Sequence, residues 1–145
     1  MKKVLILLLL SFSVLSFSQK VKFKKGNVLI DGVEVYKYEN EGSTMTLSTL
    51  GGEEFVSFLS TSYEVPNPAR SQPGGHNYPA TLKKYVVTVR FLESGKELFT
   101  DLSSKEIAKA INKSELVSED GSIDEEKLDK FINKYNNETL KLKIY

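Results

Sequence analysis

Closely spaced glycine turns constrain the fold of this chain more than any other feature of its sequence. The stretch NVLIDGVEVYKYE contains two β-prone runs that are joined by Asp31 and Gly32. These residue types accept the positive φ angles of a tight turn, so the stretch predicts a β-hairpin. Gly26, Gly42 and Gly51 break the chain at similar intervals. The sequence therefore predicts an antiparallel meander of short strands.

Two longer runs continue this pattern on either side of a segment rich in proline and glycine. In EEFVSFLSTSYEV, large apolar residues stand at both odd and even positions, so they point to both faces of a strand. This is expected of a strand that is covered on both faces. In LKKYVVTVRF, apolar side chains recur at every second position, which predicts a long, half-buried strand. A turn at Ser94 and Gly95 then leads into LFTD, which is a candidate partner strand.

The pattern changes to helical spacing after residue 102. Ser103 and Glu106 have the spacing of a capping box, in which each side chain bonds a free amide of the first helical turn. A second box, Ser122 and Glu125, precedes an apolar stripe at helical intervals. The last residues, TLKLKIY, alternate again and predict a closing strand whose lysines suit a sheet edge. The sequence thus predicts an α+β fold, an antiparallel meander sheet with two C-terminal helices packed on one face and a final edge strand.

Residues 1–18 predict a secretory signal peptide. Two lysines precede an apolar run over residues 4–17, which is short and broken by serines, and the expected cut lies between Ser18 and Gln19. We therefore expect residues 19–145 to form a single α+β domain in the periplasm or outside the cell, with no transmembrane segment after cleavage. The chain has no cysteine, which excludes a lipidated cysteine, disulfides and thiolate metal sites.

The net charge gives no reason to expect a nucleic acid or an anionic lipid as partner. Cleavage removes Lys2 and Lys3 and leaves 18 basic residues against 19 acidic ones. Proteins that bind such polyanions favour basic patches, and only Arg70 and Arg90 could form bidentate phosphate contacts. We expect a monomer whose partner is a protein or another ligand of the cell envelope.

Residues 66–81, PNPARSQPGGHNYPAT, hold all four prolines of the chain and its only histidine. Loops of this length are uncommon in compact domains and are usually functional or disordered. Arg70, His76 and Tyr78 could bind an anion or a partner, so they are the candidate binding residues. The alternative is a passive hairpin tip that its prolines and glycines keep out of the sheet.

The residue inventory argues against an enzyme and against a bound cofactor. Cysteine is absent, His76 is the only imidazole, and no G-x-S-x-G motif surrounds any serine. Neither LGGEE nor QPGGHN has the lysine of a P-loop or the spacing of a dinucleotide-binding turn. A small hydrolase that uses only carboxylates, drawn from Glu53, Glu54 or Glu64, is kept as an alternative.

The segment LVSEDGSIDEEK resembles the middle of an EF-hand calcium loop. Ser118, Asp120 and Asp124 stand at ligand positions of that loop. Leu116 and Lys127 stand where the loop needs its first aspartate and its bidentate glutamate. We therefore expect no metal site in this segment.

Tyrosines on the predicted hairpin form one more candidate surface. Tyr36 and Tyr38 are two residues apart and share a face of a strand. They could form a strip that stacks on carbohydrate or binds a partner, or they could pack across strands.

Three stretches carry a resemblance to a known group of proteins. They are the MKK leader that ends before a glutamine, the opening KFKKGNVLIDGVEVYKYE and the ending GSIDEEKLDKFINKY. Together they resemble small exported proteins of unknown function that are common in Bacteroidetes, which implies a periplasmic or extracellular address and no particular activity. We expect a non-catalytic exported protein that acts by binding or structural interaction, chiefly through residues 66–81. An inhibitor or ligand-binding accessory of an exported enzyme is the alternative.

Overall fold

Within residues 19–145, seven strands form one antiparallel sheet in which every strand pairs with its neighbours in sequence. The computed structural model describes residues 19–145, and the predicted signal peptide lies outside the described residues. The strands are β1 (Val21–Lys24), β2 (Asn27–Ile30), β3 (Val33–Glu41), β4 (Thr44–Ser48), β5 (Glu54–Pro66), β6 (Thr81–Phe91) and β7 (Glu97–Thr100). The predicted antiparallel meander is therefore confirmed.

The turn between β2 and β3 is the one that the sequence predicts. Asp31 has a φ of 52° and Gly32 a φ of 85°, so both central residues are left-handed, as a tight two-residue hairpin turn requires. The turn pairs Ile30 with Val33, and a bulge farther along lets Leu29 pair with Glu34 while Val28 pairs with Tyr36. This register places Glu34 and Tyr36 near the start of β3, where they line a cleft.

Three helices follow the sheet: α1 (Ser104–Ser114), α2 (Glu125–Tyr135) and the short α3 (Glu138–Lys141). The first begins at the predicted capping box, in which the Ser103 hydroxyl accepts a hydrogen bond from the amide of Glu106. The carboxylate of Glu106 accepts the amide of Ser103 at 2.8 Å and so completes the box.

The second predicted capping box is wrong. Asp124, not Ser122, caps α2, and its carboxylate accepts the amide of Lys127 at 3.0 Å. Ser122 lies two residues before this N-cap, and its hydroxyl donates to the carboxylate of Asp120 at 2.6 Å. A carboxylate at the N-cap also interacts favourably with the positive end of the helix dipole.

Side chains of the sheet and of α1 and α2 share one hydrophobic core. Phe91 of β6 meets Phe131 of α2 edge to face, with ring centroids 6.0 Å apart. The fully buried members with the largest side chains include Phe55, Phe58, Leu47, Leu98, Ile107, Ile111, Leu116 and Leu128. The α+β class predicted from the sequence is confirmed by this arrangement.

The predicted final edge strand over residues 139–145 is wrong. Asn137 caps the short helix α3 there, and its side chain accepts the amide of Thr139 at 3.1 Å. The outer edge of β7 is bonded instead by two asparagines. The amide of Phe99 donates to Oδ1 of Asn136 at 2.8 Å, and the amide of Asn137 donates to the carbonyl of Phe99 at 2.8 Å. Because these bonds already satisfy the backbone of Phe99, a further strand has no ladder to join there.

Candidate functional site

The β5–β6 hairpin extends beyond the rest of the sheet. The β4 ladder ends opposite Leu59 and the β7 ladder ends opposite Val87. Beyond these points, residues 61–66 and 81–86 pair only with each other, in six residue pairs that end at Pro66 and Thr81. We call these two segments the arm, which is about 20 Å long at the usual rise of a β-strand. Residues 67–80, which join its strands, are the tip.

The tip is folded on itself and contains two short 3₁₀ turns, Pro68–Ser71 and Gly75–Asn77. Asn67 organises its base and is only 7% exposed. The Asn67 side chain donates to the carbonyl of Pro79 at 2.9 Å and accepts the amide of Ala69 at 3.1 Å. The backbone amide of Asn67 also donates to the carbonyl of Ala80, so both strands of the arm are joined at the point where the tip begins.

Arg70 links the two 3₁₀ turns. Its Nη1 atom donates to the carbonyl of Tyr78 at 2.7 Å and lies 3.5 Å from the carbonyl of His76. Arginine donors that bond backbone carbonyls form charge-assisted hydrogen bonds, which are stronger than neutral ones. Arg70 therefore stabilises the shape of the tip as well as adding positive charge to it.

Gly75 lies where the two turns touch. A Cβ atom on this residue would be 2.2 Å from the carbonyl oxygen of Ala69 and 2.6 Å from that of Arg70. No other residue type fits such a contact unless the backbone moves. The tip is therefore closely packed at this point, although it lies outside the core of the domain.

The three predicted binding residues lie on this one tip. Arg70, His76 and Tyr78 are all exposed, and the side chain of Tyr78 retains 55% of its accessible surface. Two more residues of the arm, Leu82 and Tyr85, are exposed and lie on opposite faces of β6, because they are three positions apart. The composition of residues 66–81 predicted the tip as a candidate surface. That the strands beside it extend past the rest of the sheet follows only from the strand pairing.

The segment that resembles an EF-hand loop folds into a tight turn between α1 and α2. Ser118 and Ser122 are joined by a backbone hydrogen bond, and Asp120 accepts both the amide and the hydroxyl of Ser122. These bonds hold the pKa of Asp120 below its usual value. Asp124 caps α2, and Lys127 donates to the carbonyl of Glu115 at 3.0 Å. Within residues 19–145, no three histidine or acidic side chains are grouped as ligands of a metal ion.

The strand geometry separates two of the acids considered for a hydrolase. Glu54 and Glu64 lie in the same strand, β5, ten positions apart. At the rise of a β-strand this separation is about 33 Å, far beyond the roughly 5–10 Å between paired carboxylates in glycoside hydrolases. Glu64 instead accepts the hydroxyl of Thr81 at 3.0 Å across the arm. These two acids therefore cannot act on one substrate bond together.

A second candidate site is a cleft of about 600 Å³ at the opposite end of β5 from the arm. It lies between the start of β3, the turn from β4 to β5, the end of α1 and the turn between α1 and α2. Its volume is within the range of small-molecule sites. The residues that line it are Glu34, Val35, Tyr36, Thr49, Leu50, Gly51, Asn112, Val117, Ser118 and Glu119.

Tyr36 contributes a buried polar group to this cleft. The residue is 8% exposed, and its ring packs against Phe55 with the centroids 5.1 Å apart. Burial raises the pKa of Tyr36 to about 12. Tyr38 packs against Phe23 in the same way, at 5.0 Å. Both tyrosines of the predicted strip are thus used in packing, and only Tyr36 also lines a cavity.

The sequence did not indicate this cleft. Its residues come from four separate segments, which only the paired strands and the docked helices bring together. The sequence pointed to two of the lining residues for other reasons: Ser118 as part of a candidate metal loop, and Tyr36 as part of a candidate strip of tyrosines.

Comparison with known proteins supplies no function for these surfaces. No protein-family model matches the chain, and neither the curated proteins nor the solved structures yield a significant match. Of the helices in the described part of the chain, none has both the length and the apolar character needed to cross a membrane.

Proposed function

We propose that this protein is an exported, non-catalytic binding protein that contacts its partner through the arm and the tip. The observation that carries the proposal is the hydrogen bond of Arg70 to the carbonyl of Tyr78. This bond joins the two 3₁₀ turns, which favours a tip of fixed shape. A surface with a fixed shape loses less conformational entropy when it binds, and so it binds more tightly for the same contacts.

The position of the tip suits contact with a partner. An isolated two-stranded hairpin is only marginally stable in water, so the paired arm benefits from the bonds of Asn67 and Arg70 at its end. We infer that α1 and α2 cover one face of the sheet, as the contact of Phe91 with Phe131 supports. The arm extends past the strands that border it, so a partner can reach its tip without displacing the core.

The exposed residues of the arm and the tip have the chemistry of an interface. Tyr78 and Tyr85 are each 55% exposed, and Leu82 is 39% exposed. Tyrosine and arginine are enriched among the residues that dominate binding energy at protein interfaces. Lys83 and Lys84 add positive charge beside them, which favours a partner with an acidic rim.

Photo-crosslinking tests this proposal. A photoreactive phenylalanine analogue replaces either Tyr78 or Leu92, and each purified variant is irradiated with the envelope fraction of the producing cells. Leu92 is a matched control because it is 41% exposed, as is typical of the arm, but follows the end of β6 away from the tip. We expect one protein to be crosslinked from position 78 and not from position 92.

The affinity of the captured partner then gives a quantitative test. We expect Tyr78→Ser and Leu82→Ser each to raise its Kd about tenfold or more, and Leu92→Ser to leave it unchanged. Equal crosslinking from both positions, no crosslinking from position 78, or unchanged Kd values in the arm variants would contradict the proposal. If the partner is an exported enzyme, inhibition that Tyr78→Ser relieves would support the inhibitor alternative.

Export is part of the proposal and has its own test. The full chain is expressed in a Gram-negative host, and the mass of the protein in the periplasm and in the medium is measured. We expect a chain that begins at Gln19, because small residues precede the expected cut. An uncleaved chain that stays in the cytoplasm would contradict export.

A further inference from the structure

We propose that the outer edge of β6 in the arm, residues 81–85, binds an extended acidic peptide segment of the partner as an additional antiparallel strand. The proposal rests on the function proposed above, because it names the way in which the arm contacts its partner. In this mode, main-chain hydrogen bonds supply affinity, and side chains that face each other across the strands supply specificity.

Backbone hydrogen bonds at the two ends of the β5–β6 ladder show which residues of β6 point away from β5. The amide of Asn67 donates to the carbonyl of Ala80, and the amide of Leu92 donates to the carbonyl of Phe55, both at 3.0 Å and in one continuous register. The direction of the backbone groups alternates along an antiparallel strand, so every second residue between Ala80 and Leu92 directs its amide and carbonyl outward. In the arm these outward residues are Thr81, Lys83 and Tyr85.

These outward backbone groups lie at an open edge. At the base of the arm, Val87 pairs with Thr100, which is the last residue of β7. Beyond that pair, the outward amides and carbonyls of residues 81–85 have no hydrogen-bond partner within the described part of the chain. All five of these residues are exposed. An open row of donors and acceptors is a template for pairing with an extended segment of another chain.

The other edge of the arm is less suitable for such a segment. Its outward residues on β5 are Ser62, Glu64 and Pro66, which lie opposite the outward residues of β6. Pro66 has no amide to donate, and proline on an edge strand opposes further pairing. The carboxylate of Glu64 also repels an acidic strand. The two edges therefore differ in both donors and charge.

The charge of the β6 edge favours an acidic occupant. Lys83 and Lys84 are consecutive, so they lie on opposite faces of the strand and an added strand meets one positive charge on each face. Residues 81–86 contain no acidic side chain that would oppose this charge. Opposite charges directly across a pair of strands stabilise the pairing, so acidic residues opposite both lysines complete the edge.

A second copy of this chain is less suitable as the occupant. Symmetric antiparallel pairing of two β6 edges that uses all three outward residues aligns Lys83 with Lys83 of the other copy. Like charges directly opposite each other destabilise a pair of strands. The same lysines therefore oppose self-association and select an acidic strand of another protein.

The test is an amide titration by NMR of residues 19–145 at neutral pH with the capped peptide acetyl-Thr-Val-Glu-Glu-Val-Thr-amide. Its adjacent glutamates can lie opposite Lys83 and Lys84, and the same peptide with lysine in place of both glutamates is the control. We expect saturable shifts with a Kd of about 1 mM for the acidic peptide and none for the basic one. At saturation, solvent exchange should slow severalfold at the amides of Lys83 and Tyr85 and stay unchanged at that of Ser62 on the other edge.

Proline variants show whether the backbone carries the binding. Lys83→Pro removes an outward amide and leaves the ladder of the arm intact, and Ser62→Pro does the same on the other edge. Lys83→Ala keeps the amide and removes only the charge. We expect Lys83→Pro to raise the Kd about tenfold or more, Lys83→Ala to raise it about two- to fivefold, and Ser62→Pro to leave it unchanged.

Methylated peptides give the same information without changing the protein. In the proposed alignment, the backbone nitrogen of the second glutamate points to Lys83 and that of the first points away from β6. Methylation of the second nitrogen should therefore weaken binding about tenfold more than methylation of the first. Absence of saturable shifts up to about 10 mM, equal binding of the basic peptide, or equal effects of the two methylations would overturn the proposal.

The captured partner separates this proposal from the proposed function. Strand addition predicts that Lys83→Pro weakens the partner more than Lys83→Ala does, and that Ser62→Pro has no effect. A partner that loses affinity on Tyr78→Ser but binds Lys83→Pro and Lys83→Ala equally would overturn strand addition and leave binding by the tip standing.

Discussion

The Nη1 atom of Arg70 lies 2.7 Å from the carbonyl oxygen of Tyr78, eight residues later in the chain. This one contact joins the two 3₁₀ turns of the tip, and Asn67 joins the strands at its base through a 2.9 Å bond to Pro79. Arg70 therefore has two roles in our proposal: it holds the binding surface in shape, and it contributes charge to that surface.

Gly75→Ala should open the tip. The added Cβ would lie 2.2 Å from the carbonyl oxygen of Ala69, so the two turns must separate. Overpacking of this kind costs about 1–3 kcal/mol, and here the cost falls on the tip rather than on the core. We expect faster hydrogen exchange at the amide of Tyr78, which donates to the carbonyl of Gly75 at 3.0 Å.

Gly51→Ala is the matched control for this variant. The nearest atom to its added Cβ is the Thr49 hydroxyl oxygen at 3.6 Å, an ordinary contact. Exchange at the amide of Tyr78 should be unchanged in this control. Unchanged exchange in Gly75→Ala itself would show that the tip is not packed as described.

Lys96 should make the stability of the domain depend on pH in the alkaline range. It bonds Asp129 at 2.7 Å and Glu125 at 2.6 Å, and so ties the β6–β7 turn to α2. The bonds to Asp129 and then to Glu125 raise the pKa of Lys96 above its ordinary value of 10.5. The stabilisation is thus fully present below pH 10.5 and is lost as the pH rises through the folded-state pKa.

Chemical unfolding of the wild type and Lys96→Met across this pH range measures the effect. We expect the free energies of unfolding to differ below pH 10.5 and to converge as the pH rises through the raised folded-state pKa of Lys96. The control is Lys130→Met, which breaks only a pair with Glu126 whose side chains are 73% and 81% exposed. Exposed pairs contribute little, so a Lys96 effect no larger than the Lys130 effect would contradict the assigned role.

Asn136→Ala should weaken the edge of the sheet. Its Oδ1 atom accepts the amide of Phe99 at 2.8 Å, and removing it leaves that amide without its acceptor. Loss of a partner for such a half-buried group costs about 1–3 kcal/mol in the free energy of unfolding. Urea unfolding measures this, with Asn133→Ala on the exposed side of α2 as a control expected to change stability by no more than about 0.5 kcal/mol.

Local patterns in the sequence were sufficient to predict most of the sheet. The hairpin at Asp31 and Gly32 and the capping box at Ser103 were predictable because each depends on residues close together in the chain. The second capping box failed because the helix begins at Glu125, two residues later than that box requires, and Asp124 accepts the amide of Lys127 as the N-cap.

Features that depend on distant residues could not be predicted in this way. The alternation of apolar and polar side chains over residues 139–145 is typical of a strand, but Asn136 and Asn137 already bond the backbone of Phe99 in β7. The cleft likewise requires Tyr36 and Glu119 to meet across the fold. The candidate residues of the tip could be predicted because they are close in sequence. The hydrogen bond of Arg70 to the carbonyl of Tyr78 could not, because it depends on how the tip folds.

The central claim, that the tip is a preformed binding surface, is tested most directly by ¹⁵N relaxation of residues 19–145. We predict that the non-proline amides of residues 67–80 have order parameters near 0.85, like those of β5 and β6, and that Arg70→Ala lowers them below about 0.6. Arg90→Ala, which removes the same charge from a 3.7 Å pair with Glu97 in the sheet, should leave the tip rigid. Order parameters below about 0.6 for these amides in the wild type would contradict the claim.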